Sequence, residues 1–174
     1  YINQSYDTWI EEGIAEGATP YLTNDDVDMS VYFTSYLVDS TILNGFSLFF
    51  WEGYFQNYVQ SFAFMEYIRI QSGLDSDFYK TLMQNYTVAN DYEAVYDIVE
   101  DNASSLFNSF NDVLLGFRIA NLVNSSTGIY GYEGEYTPGT ITSPSSSYVT
   151  IGPGGAIYYS SSTTDEYTDF IPSD

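Results

Sequence analysis

Apolar side chains recur at helical spacing along most of the first 124 residues of the chain. The strongest pattern covers residues 53–72, where a wide apolar stripe follows one side of an expected helix and Gly73 stands at the usual C-terminal cap. Gly17 and Pro20 are expected to end the first helix of the chain. Weaker patterns predict helices over residues 5–18, 26–38, 75–85, 91–101 and 104–124. The pattern therefore predicts a mainly α-helical fold.

The composition changes at Ser125, because Gly, Ser, Thr, Tyr and Pro dominate from there onward and helical patterns stop. Two short runs of β-favouring residues flank the Gly-Pro-Gly-Gly sequence at residues 152–155, which predicts a β-hairpin over residues 147–160. We therefore divide the chain into a helical subdomain, residues 1–128, and a Gly-, Ser- and Tyr-rich tail, residues 129–174.

The charge balance is strongly acidic, with 24 Asp and Glu residues against three Lys and Arg residues and a net charge of −21. Nucleic acids and anionic membranes attract basic surfaces, so neither is an expected partner. Solubility is the main interpretation of the charge, and attraction of basic substrates or of Ca²⁺ is the alternative. The chain has no Cys for a disulfide framework and no run of about 18 apolar residues, so no membrane span is expected.

The chain contains no His, which is the commonest zinc ligand and the commonest general base at neutral pH. A Ser-His-Asp or Cys-His mechanism therefore cannot operate on this chain alone, and neither can a complete metal site that includes His.

Because the first residue is Tyr1 rather than Met, we expect that the N-terminus is trimmed by processing or by design. Abundant Ser, Thr, Asn, Tyr and Gly with scarce Lys is typical of exported bacterial proteins, which predicts a secreted or cell-surface location.

Candidate functional side chains are concentrated at residues 9–16, W-I-E-E-G-I-A-E. On a helix, Glu12 and Glu16 lie one above the other, and Trp9 shares their face. Two carboxylates at this spacing repel each other unless a cation or His side chains lie nearby. Gly13 is unfavourable inside a helix, but it lets a second helix approach closely. Taken alone, the spacing is ordinary for acidic residues near a helix N-terminus.

This stretch resembles the W-x-x-E-G-x-(A/S)-E signature of gluzincin zinc metallopeptidases. In that clan a helix bearing H-E-x-x-H supplies two zinc ligands and the general base, and a downstream helix supplies the third ligand. The resemblance implies that Glu12 is the third zinc ligand and that Glu16 orients a ligating His. Two His and one Glu leave an open zinc position for a water, whose pKa falls to about 7. No H-E-x-x-H occurs in the chain, so the upstream part of the same protein is the implied partner.

A second stretch, N-Y-V-Q-S-F-A-F-M-E-Y-I at residues 57–68, is similar to a helix of the hyicolysin-like peptidases. The similarity to that group covers most of residues 5–135, although Val59 stands where the group often has Gly. Gluzincins commonly use a Tyr or His to donate a hydrogen bond to the oxyanion of the tetrahedral intermediate. Tyr58 is the implied donor, with Tyr54 as the second choice. The alternative is that Tyr58 belongs to the apolar face of its helix.

The leading hypothesis is therefore the C-terminal helical subdomain of an exported zinc-dependent endopeptidase that hydrolyses peptide or protein substrates. This chain alone is expected to be inactive. Two alternatives remain, a non-catalytic extracellular module that binds protein or glycan through exposed aromatic side chains, and a degenerate peptidase fold used as a scaffold.

Residues 24–28, N-D-D-V-D, resemble half of a calcium loop in composition but lack its spacing, so a capped helix start is the preferred interpretation.

Overall fold

The computed structural model of the chain describes residues 6–22, 42, 45–84, 91–136 and 151–158. Each of the outer helices in these ranges contacts one central helix, α2. The five helices of the described ranges are α1 (Thr8–Leu22), α2 (Phe55–Ser72), α3 (Asp77–Gln84), α4 (Tyr92–Ala103) and α5 (Phe110–Val123). The prediction of a mainly α-helical fold is confirmed.

Caps set the ends of several helices. Gly73 ends α2 in the left-handed conformation, with φ 66° and ψ 16°, as its place in the sequence predicts. Asp91 begins α4, and its carboxylate accepts a hydrogen bond of 3.0 Å from the backbone N–H two residues further on. Ser109 begins α5, where its hydroxyl accepts a bond of 3.2 Å from a backbone N–H. The prediction that this helix starts at residue 104 was therefore wrong.

The first helix, α1, runs past Gly17 and Pro20 to Leu22, so the prediction that these two residues end it was wrong. Pro20 lies in the last turn, where its missing N–H removes a single intrahelical hydrogen bond. Gly17 is buried, and a Cβ built there would lie 1.9 Å from the hydroxyl oxygen of Tyr79 on α3. Gly17 therefore serves the close packing of α1 against Tyr79 rather than the termination of the helix.

The central helix, α2, is buried around its whole circumference from Val59 to Ile70, whereas its sequence predicts a single apolar stripe. The difference arises because four other helices and the loops at residues 46–50 and 129–131 all pack against it. Aromatic rings form much of the surrounding core. Phe64 packs against Phe117 of α5, with ring centroids 5.1 Å apart, and against Trp9 of α1 at 5.9 Å. The helix with the strongest apolar pattern is thus the centre of the described fold.

Polar side chains on α2 bind the loops that run past it. Asn57 and Gln60 make hydrogen bonds of 3.1 to 3.2 Å with backbone groups of residues 46–54. The hydroxyl of Tyr67 donates to the carbonyl of Ile129 at 2.8 Å. Because these buried polar groups have partners, their place inside the core is compatible with a stable helix.

The described part of the tail, residues 151–158, contains a turn and pairs with the loop at Gly45. The backbone N–H of Gly155 donates to the carbonyl of Gly152 at 2.8 Å, and the N–H of Gly152 donates to Gly45 at 2.8 Å. The residues on both sides of this segment lie outside the described ranges, so the hairpin over residues 147–160 stays a prediction. The boundary between helical subdomain and tail stays a prediction as well.

Two further predictions fall outside the described residues, namely the helix over residues 26–38 and the capped helix start at residues 24–28. Among the helices of the described ranges, none has both the length and the apolar character that a membrane crossing requires.

Candidate functional site

The first helix carries Glu12 and Glu16 on consecutive turns, and both side chains are half-buried. Trp9, which shares their side of α1 by its spacing, is buried, and so are Gly13 and Gly17 on the side that faces the core. The two carboxylates therefore lie one above the other along the border between the buried and exposed sides of the helix. At such a border a side chain can contact a ligand or a neighbouring element while its conformation is restricted by packing.

Gly13 brings α1 into direct contact with α2. A Cβ built at Gly13 would lie 2.7 Å from Cγ of Met65 and 3.2 Å from the carbonyl oxygen of Ser61, so a larger residue would push the helices apart. The expectation that Gly13 permits the close approach of a second helix is confirmed. Trp9 packs its ring against Phe49, with 5.2 Å between centroids, and this contact fixes the first turn of α1.

Tyr58 lies near the start of α2, half-buried, with its ring edge-on to Trp51 at 5.0 Å between centroids. Tyr54, the second choice for the oxyanion donor, is the N-cap residue of α2 and is 55% exposed. The packing of α1 against α2 places Glu12 and Tyr58 on neighbouring helices. That placement is compatible with a shared site, and the ring contact of Tyr58 with Trp51 fits the apolar alternative equally well.

A metal at Glu12 would need further ligands. Across the part of the chain that the structure describes, no group of three or more His, Cys, Asp or Glu side chains could hold a metal ion. A half-buried carboxylate on a firmly packed helix fits the part of one zinc ligand, since zinc in proteins takes carboxylate oxygen together with His nitrogen. The chain's own residues are thus compatible with zinc, and the remaining ligands would come from outside the described ranges.

Sequence patterns missed a buried charged cluster on α2. Glu66 and Arg69 pair at 3.0 Å between Oε2 and Nε, and their side chains are 1% and 2% exposed. The Glu66 carboxylate also accepts hydrogen bonds from the hydroxyls of Tyr79 on α3 and of Tyr136, the latter at 2.5 Å. A Glu and an Arg three residues apart within the apolar run at residues 62–70 was the signal that could have revealed this pair.

Arg69 extends from the core toward two more carboxylates. Its Nη1 lies 3.3 Å from Asp75 Oδ1, and its Nη2 donates to Glu135. The ring of Tyr21 near the end of α1 lies 5.6 Å from the guanidinium carbon, within cation–π distance. Burial alone would lower the pKa of Arg69, but Glu66 and Glu135 raise it above its ordinary value. The side chain therefore stays charged and links α1 to α2.

Burial, followed by the negative charge of Glu66, raises the pKa values of Tyr79 and Tyr136 above their ordinary value. The same two causes raise the pKa of Tyr21 to about 12. Tyr79 and Tyr136 therefore stay protonated at neutral pH and act as hydrogen-bond donors. The cluster ties α1, α2 and α3 together, so we interpret it as the structural support of the helix that carries Glu12.

No protein-family model matches the chain. Over 131 residues, which are 74% of the chain and 29% of the relative, the chain is 25% identical to the neutral metalloprotease ShpI of Staphylococcus hyicus. The chain is distantly related to a metallopeptidase. It spans less than a third of the length of this curated relative.

This relative supports the metallopeptidase relationship that the sequence motifs indicate. Membership of the gluzincin clan and of the hyicolysin-like group stays a prediction, as do the roles of Glu12, Glu16 and Tyr58. Zinc, an upstream partner and an extracellular location stay predictions too.

Proposed function

We propose that this chain is the downstream helical part of an exported bacterial zinc-dependent endopeptidase. The observation that carries the proposal is the packing of α1, whose W-x-x-E-G-x-A-E motif docks on α2 through Gly13 and leaves Glu12 and Glu16 half-buried on one face. The 25% identity to a neutral metalloprotease supports the same assignment.

In this proposal Glu12 provides a carboxylate oxygen as the third protein ligand of zinc, beside two His of an upstream helix. Glu16, one turn further on, accepts a hydrogen bond from the second ring nitrogen of a ligating His and so fixes its tautomer and orientation. Bound zinc supplies a water molecule whose pKa is lowered to about 7. Tyr58 donates a hydrogen bond to the oxyanion that develops as the peptide carbonyl is attacked.

The packing around α1 supports these roles because it restricts the position of the helix at several points. Trp9 is buried at its start, Gly13 contacts α2 at its middle, and Tyr21 lies against Arg69 near its end. A reactive site loses much of its rate when a group shifts by about 1 Å. A firmly held helix is therefore a suitable support for a metal ligand.

The test is to express the chain together with the sequence that its gene encodes upstream of Tyr1 and to measure casein cleavage. We expect cleavage by the wild type and none by Glu12→Gln. Tyr58→Phe is expected to lower kcat by about 10²- to 10³-fold, because it removes one oxyanion donor. The matched controls are Glu11→Gln, an exposed carboxylate beside Glu12, and Tyr130→Phe, an exposed tyrosine outside the helices, and both should retain activity.

Full activity of the Glu12→Gln variant would refute the proposal. The absence of both zinc and cleavage in a protein that carries an intact H-E-x-x-H helix would refute it as well.

An exposed aromatic surface favours the non-catalytic module as the second candidate. Three aromatic side chains in the loop before α2 and at its first turn are exposed, Phe50 by 63%, Tyr54 by 55% and Phe55 by 51%. Exposed aromatic clusters commonly mark binding sites for proteins or glycans. The gene sequence upstream of Tyr1 discriminates the candidates. An H-E-x-x-H helix there supports the peptidase, the same helix without its His supports a degenerate scaffold, and an unrelated domain supports the module.

A further inference from the structure

An open groove of about 810 Å³ lies between α4 and the start of α5. Its floor is aromatic, since the rings of Tyr92 and Phe110 lie 4.8 Å apart and Phe49 packs on Phe110 at 6.0 Å. Leu114 extends this apolar surface. The volume falls within the range of about 300–1,000 Å³ that is typical of ligand sites. The floor can bury an aromatic or aliphatic side chain.

The rim of the groove is acidic. Glu93 and Asp97 are four residues apart on α4, so their carboxylates share the helix face beside the groove. The three basic residues of the chain lie elsewhere, because Arg69 and Arg118 are buried in the core and Lys80 is exposed on α3. The negative potential of the rim therefore acts on cations of other molecules.

We propose that this groove binds an extended peptide segment of another protein in which a Lys or Arg stands beside an aromatic or aliphatic residue. The apolar side chain packs on Phe49 and Phe110, and the cation faces Glu93 and Asp97. Charge complementarity selects this occupant over a second copy of the chain, which has a net charge of −21 and three basic residues. A neutral glycan would stack on the rings but would leave the carboxylates without a counter-charge.

The groove is connected to the first helix through Phe49, whose ring packs against Trp9 at 5.2 Å. Trp9 precedes Glu12 by three residues, so a bound peptide lies on the side of the fold where α1 begins. The proposed function would make the bound segment a substrate, and this part of the inference rests on that function. The binding itself requires neither zinc nor catalysis.

The test is an anisotropy titration of the 174-residue chain with labelled peptides at about 0.15 M salt, where exposed charges are partly screened. The probe is an end-blocked Gly-Lys-Phe-Lys-Gly, and the matched peptide carries Glu in place of each Lys. The double variant Glu93→Gln and Asp97→Asn removes the rim charges at constant side-chain size. The control double variant Glu100→Gln and Asp101→Asn removes two exposed charges of the same helix outside the groove.

We expect saturable binding of the Lys peptide and at least about tenfold weaker binding of the Glu peptide. The dissociation constant for the Lys peptide should rise about three- to tenfold in the rim variant and stay unchanged in the control. Tyr92→Ala, which removes a half-exposed ring of the floor, should also weaken binding. The rim and floor variants must keep the circular dichroism spectrum of the wild type for this comparison.

No binding of the Lys peptide, equal losses in the rim and control variants, or preferential binding of a neutral oligosaccharide would overturn the inference. A chain that binds the peptide but stays inactive with its upstream sequence would refute the proposed function alone.

Discussion

Replacing Gly17 with Ala perturbs a close contact between α1 and α3. A Cβ at this position would lie 1.9 Å from the hydroxyl oxygen of Tyr79 and 2.4 Å from its Cζ. Tyr79 cannot swing aside without losing its hydrogen bond to the buried Glu66 carboxylate. The substitution therefore both pushes α1 away from α3 and breaks that buried bond.

The magnitude follows from one favourable and two unfavourable contributions. Ala is more favourable than Gly inside a helix by about 1 kcal/mol. Overpacking a core costs about 1–3 kcal/mol, and losing a hydrogen bond to a charged acceptor costs about 1.5–3 kcal/mol. The expected net loss in the free energy of unfolding is about 3 kcal/mol. With a urea m value of about 2 kcal/mol/M, the unfolding midpoint falls by about 1.5 M.

Urea unfolding followed by circular dichroism measures this loss. The matched control is Ala15→Gly, which changes an exposed position of the same helix and should cost only the helix propensity of about 1 kcal/mol. If Gly17→Ala were as stable as the wild type or more stable, the account of how α1 packs would be wrong.

The remaining stability predictions concern the charged cluster. Glu66→Gln removes the buried partner of Arg69 and should lower the free energy of unfolding by about 3 kcal/mol in urea, whereas the exposed control Glu100→Gln should change it by less than about 0.5 kcal/mol. Folding raises the pKa values of Tyr79 and Tyr136 above the ordinary value of about 10, so the unfolded chain loses these protons at lower pH. Stability is therefore retained below about pH 10 and falls as the pH rises through that value. Urea unfolding measured across this pH range gives the free energy of unfolding at each pH. Tyr79→Phe should make its fall with pH shallower by about 1.4 kcal/mol per pH unit, and an unchanged slope of free energy against pH would contradict the argument.

Local signals in the sequence predicted helix ends where a single residue forms the cap. Gly73 ends α2 and Asp91 begins α4, as expected, because each cap depends on the conformation of one residue. The start of α5 was misplaced because apolar spacing continues from Leu106 across the Ser109 cap, although Leu106 is 45% exposed. Apolar spacing alone could not distinguish a helical turn from the loop before it.

Contacts between residues far apart in the chain could not be predicted. Glu66 binds the hydroxyl of Tyr136, 70 residues away, and nothing in the local pattern of α2 indicates that partner. The burial of α2 on every side depends on how many helices pack around it, which periodicity does not report. The aromatic groove joins Phe49 and Phe110 from separate parts of the chain for the same reason.

In the candidate site as well, features set by local helix geometry could be predicted and features set by long-range packing could not. The shared face of Glu12 and Glu16 and the close approach at Gly13 follow from helical geometry within α1, so the sequence could predict both. The surroundings of Tyr58 depend on Trp51 and on the packing of α2, so its ring contact could not be predicted.

Zinc binding by the protein expressed with its natural upstream sequence tests the central claim most directly. Metal analysis of the wild type should give about one zinc per chain, held by two His and one Glu. Glu16→Gln should weaken zinc affinity by about 10- to 100-fold, and Glu12→Gln should weaken it further. Glu11→Gln, which changes an exposed neighbouring carboxylate, should retain wild-type affinity. Wild-type zinc affinity in Glu12→Gln would contradict the assignment of Glu12 as a metal ligand.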